Sequence, residues 1–393
     1  MKFDTENAYK HIENLSFPRA PGSNGEIKAR DYIINAFKSF GLETEIQEFT
    51  YTTFPLSVMA RLFLLFLIIM EIFIYMFYEK DPLYSVIISF IVVSLIIAST
   101  RWRKSYSKLY DVPWYPRLSW NLIGRKLKEG ASKNLIFLAH YDSKSQTFPA
   151  FWRASLFSTS FLGSILLIFI TLFLTLARYL NWPVPSWDKT FLFYLCLITV
   201  ISLLLLQLNR SSNLSPGSLD NASGIGLLLE LAETLPEEMK NTNLTFIATG
   251  AEEEGLCGAV RFMEEKEDSY DKENSYFINF DGPAAEGNII ITSSYGIPPL
   301  HTGGLLTPLA EKIVKKEGYP FTKGYIPLGA GLDQFPVASY GFPVITISSG
   351  KLFSKIIFAI HSKYDTMDLI SKKALYRCGN LSYKIALDID TYF

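Results

Sequence analysis

The stretch Asn134-Leu135-Ile136-Phe137-Leu138-Ala139-His140-Tyr141-Asp142 is an apolar run that stops on a histidine and, two residues later, on a carboxylate. Apolar residues without polar alternation read as a strand buried on both faces, the kind found in parallel sheets covered by helices. The same character returns at 244–249, 276–281 and 343–348, and 43–51 and 121–127 read as further strands. Between them, Ala29, Tyr32, Ile33, Ala36, Phe37 and Phe40 recur at helical spacing with Gly41 as the stop, and 225–235 and 305–316 read as helices. Strands alternating with helices predict an α/β fold: a mostly parallel, mixed sheet with helices on both faces. In such sheets ligands collect beyond the carboxyl ends of the strands.

Four longer apolar runs, at 62–78, 83–99, 154–176 and 190–208, interrupt this pattern. Each approaches or meets the ~20 residues a helix needs to cross a bilayer core. The short connections at 79–82 and 179–189 make them two transmembrane hairpins, and the second connection holds Trp182, Pro183, Pro185 and Trp187, as an interfacial turn does. Glu71 is an intramembrane carboxylate, expected to face a neighbouring helix or a wet cavity. A hairpin returns the chain to the side it left. Segments 1–55, 101–153 and 210–393 are therefore expected to form one discontinuous domain, with 56–100 and 154–209 as inserted hairpins. Arg61, Arg101, Arg103, Lys104, Arg153 and Arg210 flank the runs on the domain side, against Lys80 and Lys189 in the far loops, with Arg178 at the border. That bias predicts a cytoplasmic domain.

The formal net charge is −1, and the basic stretch 101–108 abuts an apolar run, so the expected partner is a lipid bilayer and not a nucleic acid. The three cysteines are scattered without a C-x-x-C pair, which argues against a thiolate metal site or a disulfide framework. The charged residues 1–7 do not read as a signal peptide.

The chemistry-bearing residues cluster near strand ends. At His140-Tyr141-Asp142 a neutral imidazole is a good zinc ligand, and the carboxylate beside it fixes its tautomer. Asp220-Asn221-Ala222-Ser223-Gly224 opens an apolar helix, where the plain reading is an N-cap. Glu252-Glu253-Glu254-Gly255-Leu256-Cys257-Gly258 follows the strand 244–249 directly. Asp281 closes Phe277-Ile278-Asn279-Phe280, and a carboxylate at the tip of an apolar strand is costly unless paired or bound to a cation. His361-Ser362-Lys363-Tyr364-Asp365-Thr366 again sets a histidine beside a carboxylate, whereas His11 and His301 lack such a setting. Two imidazoles with strand-end carboxylates make the inventory of a two-metal hydrolytic site. Gly-x-Ser-x-Gly and His-Glu-x-x-His are absent, which counts against serine-hydrolase and thermolysin-like chemistry.

The order His-x-Asp, Asp-x-x-Ser-Gly, Glu-Glu-x-Gly-Leu-x-Gly, strand-end Asp, His-x-x-x-Asp-Thr resembles the co-catalytic zinc exopeptidases, a family of leucine and vacuolar aminopeptidases, glutamate carboxypeptidases and glutaminyl cyclases. Pro18-Arg19-Ala20-Pro21-Gly22-Ser23 and Gly331-Leu332-Asp333-Gln334-Phe335 are similar to it as well, and the likeness covers essentially all of the chain outside the apolar runs. The resemblance implies two Zn2+ ions, one held by His140 and Asp281, the other by Glu253 and His361, with Asp220 bridging. It further implies Glu252 as general base, Asp142 orienting His140, Asp365 orienting His361, Asp333 lining the site, and a cis bond between Asp220 and Asn221. The implied activity is that of an exopeptidase, foremost an aminopeptidase, acting on peptide bonds through a metal-activated water. The alternatives are a glutaminyl cyclase-like or N-acyl amino acid hydrolase on the same scaffold, and a catalytically silent membrane protein using its four spans as a pore.

The chain departs from the family in carrying its spans inside the domain, in having Gln334 where relatives often have His, and in having Ala259 where they often have Ser. The second hairpin leaves after His140 and Asp142 and returns before Asp220, flanked by Phe148, Phe151, Trp152, Leu214 and Pro216. This predicts a site opening toward the membrane surface, with hydrophobic or membrane-derived peptides as substrates.

Overall fold

The computed structural model describes residues 3–100, 103–327, 329–351 and 354–392; Arg101, one of the flanking cations, lies outside them, as do the chain ends 1 and 393. The sheet forms around four strands whose side chains are buried on both faces: β3 (Lys133–His140), β6 (Thr242–Thr249), β7 (Ser275–Phe280) and β11 (Val344–Gly350). They run parallel in the order β6-β3-β7-β11. Beyond β6 lie β2 (Pro116–Lys126) and β1 (Glu43–Thr52), both joined antiparallel. Beyond β11 come β8 (Asn288–Tyr295), antiparallel to it, then β10 (Phe321–Ile326), with β9 (Leu300–His301) beside β8. Two short strands, β4 (Ser145–Gln146) and β5 (Ser211–Ser212), pair apart from the main sheet.

The period-2 alternation of β3 divides the core. Leu135, Phe137 and Ala139 join one buried cluster, while Ile136 and Leu138 join another on the opposite face. The first face is covered by α1 (Thr5–Leu15), α2 (Asn24–Ser39), α7 (Ser223–Glu238), α9 (Leu306–Lys316) and α12 (Lys372–Tyr392). The second is covered by α8 (Cys257–Lys266) and α10 (Gln334–Ser339). The expected α/β architecture is thus the observed one.

Among the described residues four helices are long and apolar enough to cross a membrane: Pro55–Lys80, whose α-helical part is α3 (Ala60–Lys80), then α4 (Pro82–Ser99), α5 (Ala150–Tyr179) and α6 (Asp188–Gln207). They pack on one another through Leu67, Ile74, Val92, Leu167 and Leu192, and leave Leu83, Phe90, Phe169 and Phe173 facing outward. So much exposed aliphatic and aromatic surface fits a lipid solvent. Glu71 is fully buried in this bundle and accepts a hydrogen bond from the Ser164 hydroxyl of α5, so it meets a neighbouring helix. At the far end Asp188 accepts from Tyr78 at 2.5 Å and pairs with Arg178 at 2.6 Å.

Near the start of the domain the sequence Ser23-Asn-Gly-Glu26 forms a capping box. Ser23 Oγ accepts from the Glu26 N–H at 3.2 Å, and Glu26 reaches back to the Gly22 N–H at 2.5 Å. The Glu26 carboxyl is buried and takes a further hydrogen bond from Ser119 at 2.5 Å; burial pushes its pKa up to about 7. The folded state therefore retains a proton that the unfolded chain gives up near 4.5. The stability this confers is complete below that pH and is lost as pH rises toward 7, an effect of about 3 kcal/mol. Glu26→Gln is expected to flatten this slope, which denaturation midpoints at pH 5 and pH 8 measure; an unchanged difference between the two pH values contradicts the assignment.

Candidate metal centre

The carboxyl ends of β3, β6 and β7 point to one place. β3 ends on His140, β6 leads into the turn carrying Glu252 and Glu253, and β7 is followed by Asp281. The turn after β6 closes tightly: a Cβ on Gly258 would lie 2.5 Å from the Gly250 carbonyl oxygen and 2.4 Å from the Asn121 side chain. No other residue fits there without displacing the acidic run.

These ends bring together two groups of donor atoms, His140 with Glu252 and Asp281, and Asp220 with Glu253 and His361. In each group the donors lie within 4.8 Å of one another. Asp220 links them: its Oδ1 is 3.2 Å from His140 Nε2 and its Oδ2 is 3.1 Å from His361 Nε2. His361 Nε2 is also 3.2 Å from Glu253 Oε1, a buried oxygen without a hydrogen-bond partner. Ligands on one tetrahedral zinc at about 2.0–2.1 Å stand roughly 3.3 Å apart. The separations and the orphaned Glu253 oxygen therefore fit a metal between these side chains. Glu252 Oε2 stands back from His140 Nε2 at 3.9 Å.

The electrostatics point the same way. Burial, reinforced by Glu253, Asp333 and Asp281, holds the Glu252 pKa well above the usual carboxylate range, and its coupling to His140 only partly offsets this. Burial and Asp220 push Asp281 up to about 7. Burial alone would lower the His140 pKa, but Glu252, Asp142 and Asp220 outweigh it and raise it well above the ordinary value. Burial would raise Glu253, yet His361 and Lys144, whose Nζ sits 2.8 Å from Glu253 Oε2, bring it down to about 2. Acids this crowded at the carboxyl edge of a sheet call for cations among them.

Backbone contacts hold the arrangement. The Asp142 carboxylate stands beside His140 and also accepts the N–H groups of Glu252 and Glu253 at 3.1 and 3.0 Å. The imidazole Nδ1 faces the Asp142 main-chain carbonyl at 3.2 Å, with the carboxylate at 3.7 Å. Asp365 does not orient His361 as expected. Its oxygens accept the N–H groups of Leu219 and Asp220 at 2.8 and 3.1 Å, and His361 Nδ1 has no hydrogen-bond partner. Asp333 lies behind the donor groups: its Oδ2 accepts the Thr249 hydroxyl at the end of β6 at 2.5 Å, and its charge bears on both Glu252 and Asp281. Gln334 is equally removed from any ligand, since Thr302 and Thr346 satisfy its amide at 2.7 Å each.

Three contributors carry no mark in the spacing of acids and histidines. Asn221 donates to the Phe280 carbonyl at 2.8 Å and accepts from the Gly282 N–H at 3.1 Å, tying Asp220 to Asp281, across an Asp220–Asn221 bond that is cis. Lys144 is the cation beside Glu253. Arg19 is fully buried and donates to five main-chain carbonyls: Leu15, Phe17, Tyr141, Pro216 and Gly217. It thereby binds the turn after His140 to the turn before Asp220. Its signal in the sequence was only its place in the Pro18–Ser23 motif.

A covered, largely parallel sheet with paired imidazole–carboxylate groups at its carboxyl edge is the architecture of a zinc-exopeptidase-like fold. Residues 204–386 match the model of peptidase family M28. Aminopeptidase YwaD of Bacillus subtilis (strain 168) is 36% identical over 67 residues, 17% of this chain and 15% of that protein. The chain spans under a quarter of the length of the curated relatives it matches. Among solved structures, a glutaminyl cyclase from an Acidobacteriales bacterium superposes with a TM-score of 0.58 at 16% identity, covering 100% of this chain and 97% of that one. The aminopeptidase from Aneurinibacillus sp. strain AM-1 superposes with a TM-score of 0.57 at 15% identity, covering 99% and 94%.

The Arg19 clamp has a measurable consequence. Arg19→Met strips five buried carbonyls of their donor and is expected to cost at least about 3 kcal/mol in chemical denaturation. Arg19→Lys, lacking the planar fork, is expected to recover only part of this. Wild-type stability in Arg19→Met contradicts the clamp.

Proposed function

We propose that the chain is a membrane-anchored, two-zinc aminopeptidase. The observation that carries this reading is the division of the Asp220 carboxylate, one oxygen toward each of His140 and His361. His140, Asp281 and Asp220 would hold one ion, and Asp220, Glu253 and His361 the other. What zinc supplies when bound is Lewis acidity, polarising the scissile carbonyl and making a water acidic near neutral pH. Glu252 would take a proton from the attacking water and pass it to the departing nitrogen, so that water and a peptide bond give a carboxylate and, with both protons of the water on the nitrogen, an ammonium group. Its stand-off from His140 and its raised pKa suit a proton carrier more than a ligand. Asp142 fixes the approach of Glu252 through the backbone, and Asn221 and Asp365 fix Asp220. The aminopeptidase neighbours support hydrolysis at an N-terminal residue. The glutaminyl cyclase neighbour supports cyclisation as the second reading, decided by metal stoichiometry and a glutaminyl-peptide assay.

Segments 1–55, 101–153 and 210–393 would lie together on the cytoplasmic side, with 56–100 and 154–209 as hairpins through the bilayer. The three native cysteines are buried, so single cysteines introduced at 80, 184 and 273 report topology cleanly. The expected result is labelling of 80 and 184, but not 273, by an impermeant reagent in sealed cells; equal labelling overturns it.

Glu252→Gln keeps the shape and removes the base. It is expected to lower kcat at least ~100-fold with the zinc content unchanged. His361→Ala is expected to lower the zinc content itself. Full turnover in Glu252→Gln sinks the mechanism.

A further inference from the structure

We propose that the cleft takes its substrate at the membrane surface, and that this substrate is a peptide held in the lipid with an apolar N-terminal residue. The proposal rests on the aminopeptidase reading above and adds to it a substrate class and a route of approach.

The cleft over the metal centre is a cavity of about 1150 Å³, with His140, Asp220, Glu252, Glu253, Asp281 and His361 in its wall. Facing them are the ends of three apolar helices: Leu56 ahead of α3, Ser99 and Thr100 at the end of α4, and the first turns of α5. On α5 the lining residues are Phe151, Arg153, Ala154, Ser155 and Ser158, and of these 151, 154, 155 and 158 are spaced so that they share one helix face.

The length of α5 sets the height of the cleft. The helix has 30 residues, whereas a bilayer core needs about 20. Counting about 20 residues back from Arg178, paired with Asp188 at the far end, puts the edge of the hydrocarbon near Thr159. The nine residues 150–158 then rise about 14 Å above it. This is the part of α5 whose face lines the cavity.

The metal centre is tied to that same turn. The Ala150 N–H donates to the Ile360 carbonyl at 3.2 Å, and the Gln146 N–H donates to the His361 carbonyl at 2.9 Å. Phe151 packs on Phe358 with ring centroids 4.3 Å apart. His361 is therefore fixed to the helix that enters the membrane, and its left-handed backbone, with φ of +61°, is held by that contact. Trp152, in the first turn of α5, is exposed, as are Trp114, Tyr115 and Leu214. Trp114 meets Phe54 edge-on, with ring centroids 4.8 Å apart, next to the start of the first apolar helix. Aromatic side chains so placed seat a domain at the headgroup level.

Inside the cavity Leu256, Leu332, Phe335, Ile356 and Ile360 offer apolar surface beside the carboxylates. A peptide anchored in lipid already lies within reach of such a cleft, and the gain is one of effective concentration.

Two measurements on the full-length protein in phosphatidylcholine vesicles test this. In the first, bimane is attached at Ser155→Cys and, as a control, at Glu273→Cys on an exposed loop at the opposite edge of the sheet. Spin-labelled headgroups are expected to quench the first at least twofold more than the second; equal quenching places the cleft away from the membrane and overturns the proposal. In the second, a leucyl peptide with a C-terminal palmitoyl anchor is compared with the same peptide lacking it, in vesicles and in detergent. The vesicles are expected to favour the anchored peptide at least tenfold in kcat/KM. Cleavage of the soluble peptide without that advantage overturns the proposal and leaves the aminopeptidase reading standing. Failure to cleave either peptide removes the aminopeptidase reading and the substrate class with it.

Discussion

Carboxylates and imidazoles held within about 3 Å of one another inside a cleft cannot all take their preferred charge states. Asp281 rises to about 7 while Glu253 falls to about 2. The difference is set by neighbours: Asp281 stands next to Asp220, whereas Glu253 stands between His361 and Lys144. The fold concentrates this repulsion at the carboxyl edge of its parallel strands and restrains it from outside. Arg19 does so without entering the cleft, binding the two turns that frame it.

The restraint is of one kind throughout. Asp142 and Asp365 are anionic, yet neither carboxylate is used mainly on an imidazole; each accepts two adjacent backbone N–H groups. A carboxylate that takes two N–H donors fixes a peptide plane, and with it the direction of the side chain that follows. Asp142 therefore aims Glu252 and Glu253 together, and Asp365 aims Asp220. This contact joins residues 110 to 146 positions apart in sequence.

That distance explains what the sequence could and could not disclose. β3, β6, β7 and β11 were legible because burial on both faces removes all polar alternation, and the acids and histidines at their tips were legible because such residues are costly there. The outer strands β8 and β10 mix apolar and polar side chains and carry no such mark. Helix α12 presents Leu375, Cys378, Leu381, Ile385 and Ile389 to the core at helical spacing, a pattern that charged and polar neighbours dilute. The partners of Asp365 and Asp333 were unreadable for another reason. Proximity in sequence suggested His361 for the first, but folding offered it the N–H groups of Leu219 and Asp220; the second takes the Thr249 hydroxyl, a partner that no motif marks.

The two helical hairpins differ in how they join the domain, and the difference bears on the site. The first is fastened at its margins: Thr52 donates to the Trp114 carbonyl, and Thr100 exchanges hydrogen bonds with Ile297. None of these contacts touches a donor group. The second is fastened through β4 and β5, a two-residue ladder that closes its neck at Ser145–Ser212 and Gln146–Ser211. The same Gln146 bonds the His361 main chain, and the turn beyond β5 passes Pro216 and Gly217 to Arg19 before reaching Asp220. A tilt of α5 is thus carried by main-chain hydrogen bonds to both His361 and Asp220, the pair that the bridging carboxylate must hold at a fixed separation. The insertion between Asp142 and Asp220 is closed at its base by this neck, which brings its two ends together beside the donor groups.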